Sequence, residues 1–87
     1  MFAVVIPKKV HRSLERLTED VQSVCWLLIN KLREKRAIRK EWANFSVLGK
    51  NTYHCHVKRK YIVCWAWERK SIVIDVYYVG SREGVPY

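Results

Sequence analysis

The residues best suited to chemistry lie together in Tyr53-His54-Cys55-His56-Val57-Lys58. In an extended strand, successive side chains alternate between faces. Tyr53, Cys55 and Val57 then share a face fit for a core, and His54, His56 and Lys58 share the other. One strand is therefore expected to present two imidazoles and an ammonium in a row. Imidazole is the side chain that most readily changes charge near neutral pH. Two of them flanked by cations suit general acid–base chemistry on a phosphate ester. A His-x-His spacing also offers two metal ligands, but zinc requires three or four that converge. Cys55 points to the opposite face and no second spaced pair completes a set, so no metal and no cofactor is expected. The remaining alternative is an ordinary structural pair of histidines, and the chemical reading rises above it only through the company the pair keeps, which includes Arg82 and Tyr87.

Those cations dominate the whole chain. Seventeen Lys and Arg stand against eight Asp and Glu, a net charge of +9 over 87 residues. A charge of about 2–8 already keeps a small domain soluble, so the excess points to a polyanionic partner. Six cations fall between Lys31 and Lys40, with only Glu34 in the first part of the run. They can act as a solvated helix end complementing the dipole, or as a surface for RNA or an acidic protein. Arg36, Arg39 and Lys40 from this run, with Lys50, Arg59 and Lys60 in the turns flanking the histidine strand, are the expected RNA-contacting bed.

The length implies a single domain over residues 1–87 with one modest core. Hydrophobic residues make up 49% of the chain, enough to fold. No apolar run approaches the ~20 residues that cross a bilayer. The apolar start leads into basic residues without a small-residue cleavage site, so a cytoplasmic location is expected, with no membrane contact. Cys25, Cys55 and Cys64 are odd in number and set among apolar residues, which favours buried thiols over a disulfide framework.

The elements that must position the histidines follow in order. Phe2 to Ile6 is a short strand stopped by Pro7. Val10, Leu14 and Leu17 recur at helical spacing, which predicts an amphipathic helix from Lys8 to Leu17 with His11 on its surface. Thr18 is an N-cap candidate, with Glu19 and Asp20 in the first turn of a second helix running to Arg36 or slightly beyond. Its inner face carries Val21, Val24, Cys25, Leu28 and Leu32, widened by Trp26, Leu27 and Ile29. The segment Trp42–Leu48 is a strand or the approach to one, Gly49 to Asn51 a turn, and Tyr53–Lys58, Tyr61–Glu68 and Ser71–Val79 are strands. Trp65 and Trp67 are read as core packing rather than base-stacking platforms. Tyr77 and Tyr78 are expected on opposite faces, one of them buried, and Asp75 either bonds a hydroxyl or orients a histidine. The fold class is α+β: a β-α-α-β-β-β order, with an N-terminal helical hairpin on a small, mainly antiparallel twisted sheet.

This order, the length, and the segments Leu48-Gly49, Tyr53 to Lys58, Tyr61-Ile62-Val63 and Val79-Gly80-Ser81-Arg82-Glu83 with Tyr87 beyond resemble the RelE/ParE superfamily of bacterial toxins, on its RelE side. The resemblance implies the toxin of a toxin–antitoxin pair. It implies metal-independent cleavage of mRNA, usually in the ribosomal A site, by attack of the 2′-OH on the adjacent phosphate. It places Arg82 and Tyr87 in the active site with His54 and His56, which stand where many members carry Lys. Ile62 stands where several members have Arg, so Lys58, Arg59 or Arg82 must supply the phosphate's counter-charge. His56 or Tyr87 is expected as base, His54 or Arg82 near the leaving group, and Lys58 as charge stabiliser. An acidic antitoxin, mRNA and the ribosome are the implied partners, with no small-molecule cofactor. The alternatives are a non-enzymatic gyrase inhibitor of the ParE kind, which has no need of acid–base groups, or a plain nucleic-acid-binding module, which needs only Lys and Arg.

Overall fold

The computed structural model of the chain describes residues 2–34, 45–58, 60–68 and 70–84. Strand β1 (Ala3–Val5) leads through Pro7 into helix α1 (Lys8–Glu15). Pro7 suits this junction: its extended backbone makes it the N-cap, and proline has no amide hydrogen to waste there. Helix α2 (Glu19–Glu34) follows after a three-residue connection, then strands β2 (Phe45–Gly49), β3 (Thr52–Val57), β4 (Tyr61–Ala66) and β5 (Val73–Ser81), and a 3-10 turn over Arg82–Gly84. The α+β class and the helical hairpin on a mainly antiparallel sheet are as expected. The segment ending at Leu48 proves to be a full strand, giving four strands after the helices, β-α-α-β-β-β-β.

The sheet order is β1-β5-β4-β3-β2. Among the described strands, only the β1–β5 pair is parallel. The other three are antiparallel hairpins, whose short turns need backbone that few residues adopt: Asn51, Lys58 and Lys70 all have positive φ. Phe2 and Ala3 are tied at the start of β1 by backbone bonds to Arg33 and Ile72.

Both helices cover one face of the sheet. Val10 and Leu14 of α1 and Val21, Cys25, Leu28, Ile29 and Leu32 of α2 meet Tyr53, Cys55 and Val57 of β3, Val63 and Trp65 of β4, and Ile74, Val76 and Val79 of β5. Trp65 is fully buried and forms an aromatic cluster with Phe45 and Tyr53, all three rings within 6.3 Å of one another. Trp67 packs edge-on to Phe2 and donates its indole N–H to the Ser71 carbonyl. Both tryptophans thus belong to the packing, as expected. On α2, Ile29 joins the core while Leu27 is 56% exposed, so the apolar face widens to one side only. Thr18 precedes α2 as foreseen, with the Gln22 amide bonded to its carbonyl, but its hydroxyl donates to the Asp20 carboxylate rather than accepting from a backbone amide. All three cysteine thiols are buried, and burial pushes each up to about 11.

A bulge interrupts the β4–β5 ladder. Cys64 faces Tyr78 but Trp65 faces Val76, so Tyr77 is the extra residue. This undoes simple alternation there, and both tyrosines are half-buried rather than one in and one out. Asp75 is exposed, facing Ala66 on one side and Val5 on the other.

Candidate active site

Strand β3 carries the site because its alternation is clean. Tyr53, Cys55 and Val57 enter the helix-side core, which forces His54 and His56 onto the second face. Their rings lie edge to face, with centroids 5.1 Å apart. The ladder sets their neighbours. His54, Cys64 and Tyr78 form one row across the three strands, and His56, Ile62 and Gly80 the next.

The two imidazoles differ in environment. His54 is 7% exposed, while His56 is half-buried. Burial, and then the adjacent His56 ring, hold His54 below the usual imidazole pKa. His54 is therefore neutral at pH 7, and His56 is the ring a substrate can reach. Two neighbouring imidazoles, one shielded and one reachable, are an arrangement suited to acid–base work.

Lys58 does not complete this row. The strand ends at Val57, Lys58 turns into the left-handed region with φ 52, and its ammonium lies 3.9 Å from Asp20 at the start of α2. The period-two argument fails there because the turn rotates the residue out of the strand's alternation. Thr18 and Lys58 in turn lower the Asp20 pKa, the Thr18 hydrogen bond being the larger cause. Lys60, in the same turn, is exposed, and its carbonyl accepts the backbone N–H of Arg82 at 2.9 Å. That bond ties Arg82 to the β3–β4 turn, two residues beyond Gly80 in the His56 row. Adjacent strands lie about 4.8 Å apart, so about 10 Å of sheet separates β3 from β5 at this end. A ribose-phosphate unit can span part of that gap, with His56 on one side and Arg82 on the other.

Lys50 lies at the opposite end of β3, roughly 20 Å away along a six-residue strand. It lines a separate depression of about 470 Å³ with Asn51, Trp67, Glu68 and Asp75. It is not part of the His56–Arg82 end. Arg36, Arg39, Lys40, Arg59 and Tyr87 lie outside the described residues. Ile62, which stands where several RelE-type members carry arginine, is fully buried between His56 and Gly80 and leaves the counter-charge to the turn cations. Among the described residues, no three His, Cys, Asp or Glu side chains come together as a metal site. Tyr78 was missed as a site neighbour. Its ring overlies Gly80, its hydroxyl donates to the Ser81 carbonyl at 2.6 Å, and burial followed by Cys64 raises its pKa. The glycine two residues after it was the available signal, because a side chain there would meet the ring.

The fold has known counterparts. The isolated Escherichia coli RelE toxin is similar with a TM-score of 0.72 at 15% identity, covering 93% of this chain and 84% of that one. A copper-bound mutant toxin from Helicobacter pylori gives 0.76 at 18% identity, covering 98% of this chain and 99% of that one. A metal-bound toxin from the same organism gives 0.75 at 14%, with the same coverage. No protein-family model and no curated protein matches the sequence. At these identities the likeness is one of architecture: two helices packed on one face of a five-stranded mixed sheet, the fold of RelE-like toxins.

Proposed function

We propose that this chain is the toxin of a bacterial type II toxin–antitoxin pair and that it cleaves mRNA in the ribosomal A site without a metal. The observation that carries this reading is the imidazole pair, one ring buried and the other reachable, at the end of the sheet where the β3–β4 turn holds Arg82.

In the proposed reaction, His56 removes the proton from a 2′-OH, and the oxygen attacks the adjacent phosphorus. The bond from phosphorus to the 5′-oxygen breaks. The leaving oxygen takes up a proton, with Tyr87 as the candidate donor. The products are a 2′,3′-cyclic phosphate and a 5′-OH. Arg82 and Lys60 stabilise the phosphorane's extra negative charge, the role that preorganised cations serve in such reactions. His54 positions the His56 ring from behind. Lys58, engaged by Asp20, contributes less than either. A strongly cationic toxin also requires an acidic antitoxin to shield it from RNA in the cell.

Ribosomes programmed with a defined mRNA provide the test. Primer extension should map cuts within the A-site codon, and the upstream fragments should carry cyclic phosphate ends. The His54→Ala/His56→Ala protein should fold, fail to cut, and no longer inhibit growth. Full cleavage by that double variant removes the imidazoles from the mechanism. Gyrase inhibition with intact mRNA would instead support the ParE-like alternative.

A further inference from the structure

Helix α1 is electrically lopsided. With 3.6 residues per turn, Lys8, Arg12 and Arg16 follow one another at four-residue spacing along one flank, with Lys9 beside them, and all four are exposed. None of the four makes an ion pair with a described residue. The other flank faces α2. There His11 bonds Glu15 at 2.8 Å and lies edge-on to Trp26, with ring centroids 5.9 Å apart. The helix's only carboxylate is therefore spent on the α2 side. The cationic flank borders a groove of about 200 Å³ between α1 and the end of β5, lined by Lys9, Ser13, Tyr77, Tyr78 and Gly84. Gly84 closes the same 3-10 turn that Arg82 opens. The groove thus reaches from Gly84, two residues past Arg82, to Lys9 at the border of the cationic flank.

We infer that this groove is a second RNA subsite, in which a single-stranded segment continuing from the cleaved phosphate lies against Tyr77 and Tyr78 while Lys9, Arg12 and Lys8 neutralise its phosphates. The inference rests on the RNA-cleaving reading above. Alternating aromatic and cationic surface is what sequence-tolerant single-strand binding requires. These cations are distinct from the run after Lys31 and from the turn cations, and they carry no part of the cleavage chemistry.

Binding is measured by fluorescence anisotropy with a labelled 16-nucleotide oligouridine, 2′-O-methylated so that it cannot be cut. Lys9→Ala/Arg12→Ala is compared with wild type and with Lys70→Ala, which removes a cation from the β4–β5 turn. Both substituted side chains are exposed, so circular dichroism and the melting temperature should not change. The double variant is expected to bind roughly tenfold more weakly and to lose about 1.4 from its log affinity–log salt slope, at ~0.7 per phosphate contact in a single strand. Lys70→Ala should leave both unchanged. An unchanged affinity and slope in the folded double variant overturns the inference. So does a loss confined to an acidic peptide such as polyglutamate, which assigns the flank to a protein partner, and so does wild-type protein that binds no oligouridine. The two readings fail separately. Normal oligouridine binding by a protein that cuts no mRNA sinks the cleavage reading alone, and normal cutting by the double variant with unchanged binding sinks the groove alone.

Discussion

Burial separates two imidazoles that sit two positions apart on one strand. His54 is enclosed and held below the ordinary ~6.5 of imidazole, and His56 remains within reach of solvent. Because the folded state disfavours protonating His54, the unfolded chain binds that proton first as pH falls. The stability His54 contributes is therefore complete above about pH 6.5 and is lost as pH drops toward its lower folded value. Thermal unfolding should show the melting temperature falling from pH 7 to pH 5, and His54→Gln should flatten that slope; an identical slope in the variant would detach it from His54. In the reaction the roles differ. His56→Gln is expected to lower kcat by about 10²–10⁴-fold, the usual worth of a general base, with KM little changed. His54→Gln should lower kcat less and shift the pH profile, because it acts through its neighbour. Single-turnover cleavage from pH 5 to 8 separates the two. The pair itself was legible in the sequence, since strand alternation is strict while the strand lasts. Lys58 was not, because a lysine in the left-handed region of a turn leaves no trace in a hydrophobic pattern.

Elements were legible where periodicity was strong and illegible where a ladder slips. Val10 and Leu14 on α1, and Val21, Cys25, Leu28 and Leu32 on α2, mark their buried faces in sequence and occupy them in the fold. The β-branched and aromatic runs marked the strands in the same way. The bulge at Tyr77 was invisible, because Val76-Tyr77-Tyr78-Val79 is apolar throughout and fits either register. Its consequence is testable. A methyl added at Gly80 would lie 3.0 Å from the Tyr78 hydroxyl and 3.3 Å from its ring carbon. Gly80→Ala should therefore displace that hydroxyl from the Ser81 carbonyl and cost about 1–3 kcal/mol, the usual range for overpacking. In a double-mutant cycle with Tyr78→Phe, which deletes the nearest atom, the two losses should fall short of additive. Strict additivity in urea titrations would mean that the ring does not hold that position. On the helix side, Trp65→Ala empties the centre of the aromatic cluster and should cost about 3–5 kcal/mol in the same titrations.

At the scale of the molecule, the helices and sheet share one interior, and the three cysteines sample it from both sides. Cys25 on α2 and Cys55 on β3 lie in the helix–sheet core, whereas Cys64 on β4 points to the second face, in the row of His54 and Tyr78. All three are buried, with pKa values raised to about 11, so at pH 8 the native thiols are both shielded and protonated. Reaction with a disulfide reagent then requires opening of the structure. If the helical hairpin lifted away from the sheet by itself, Cys25 and Cys55 would react before Cys64. If the chain opens as one unit, the three react at a common rate set by global unfolding. The parallel β1–β5 pair favours the second course. It fastens the amino-terminal strand to the far edge of the hairpin sheet, and the Phe2–Arg33 backbone bond ties it to the end of α2. Single-cysteine variants, with Ser at the other two positions, are expected to label at equal rates once each is corrected for its own stability. Labelling of Cys25 and Cys55 at least tenfold faster than Cys64 would instead show that the helices open as a separate layer, and would make that layer the natural entry point for a partner that competes for the core.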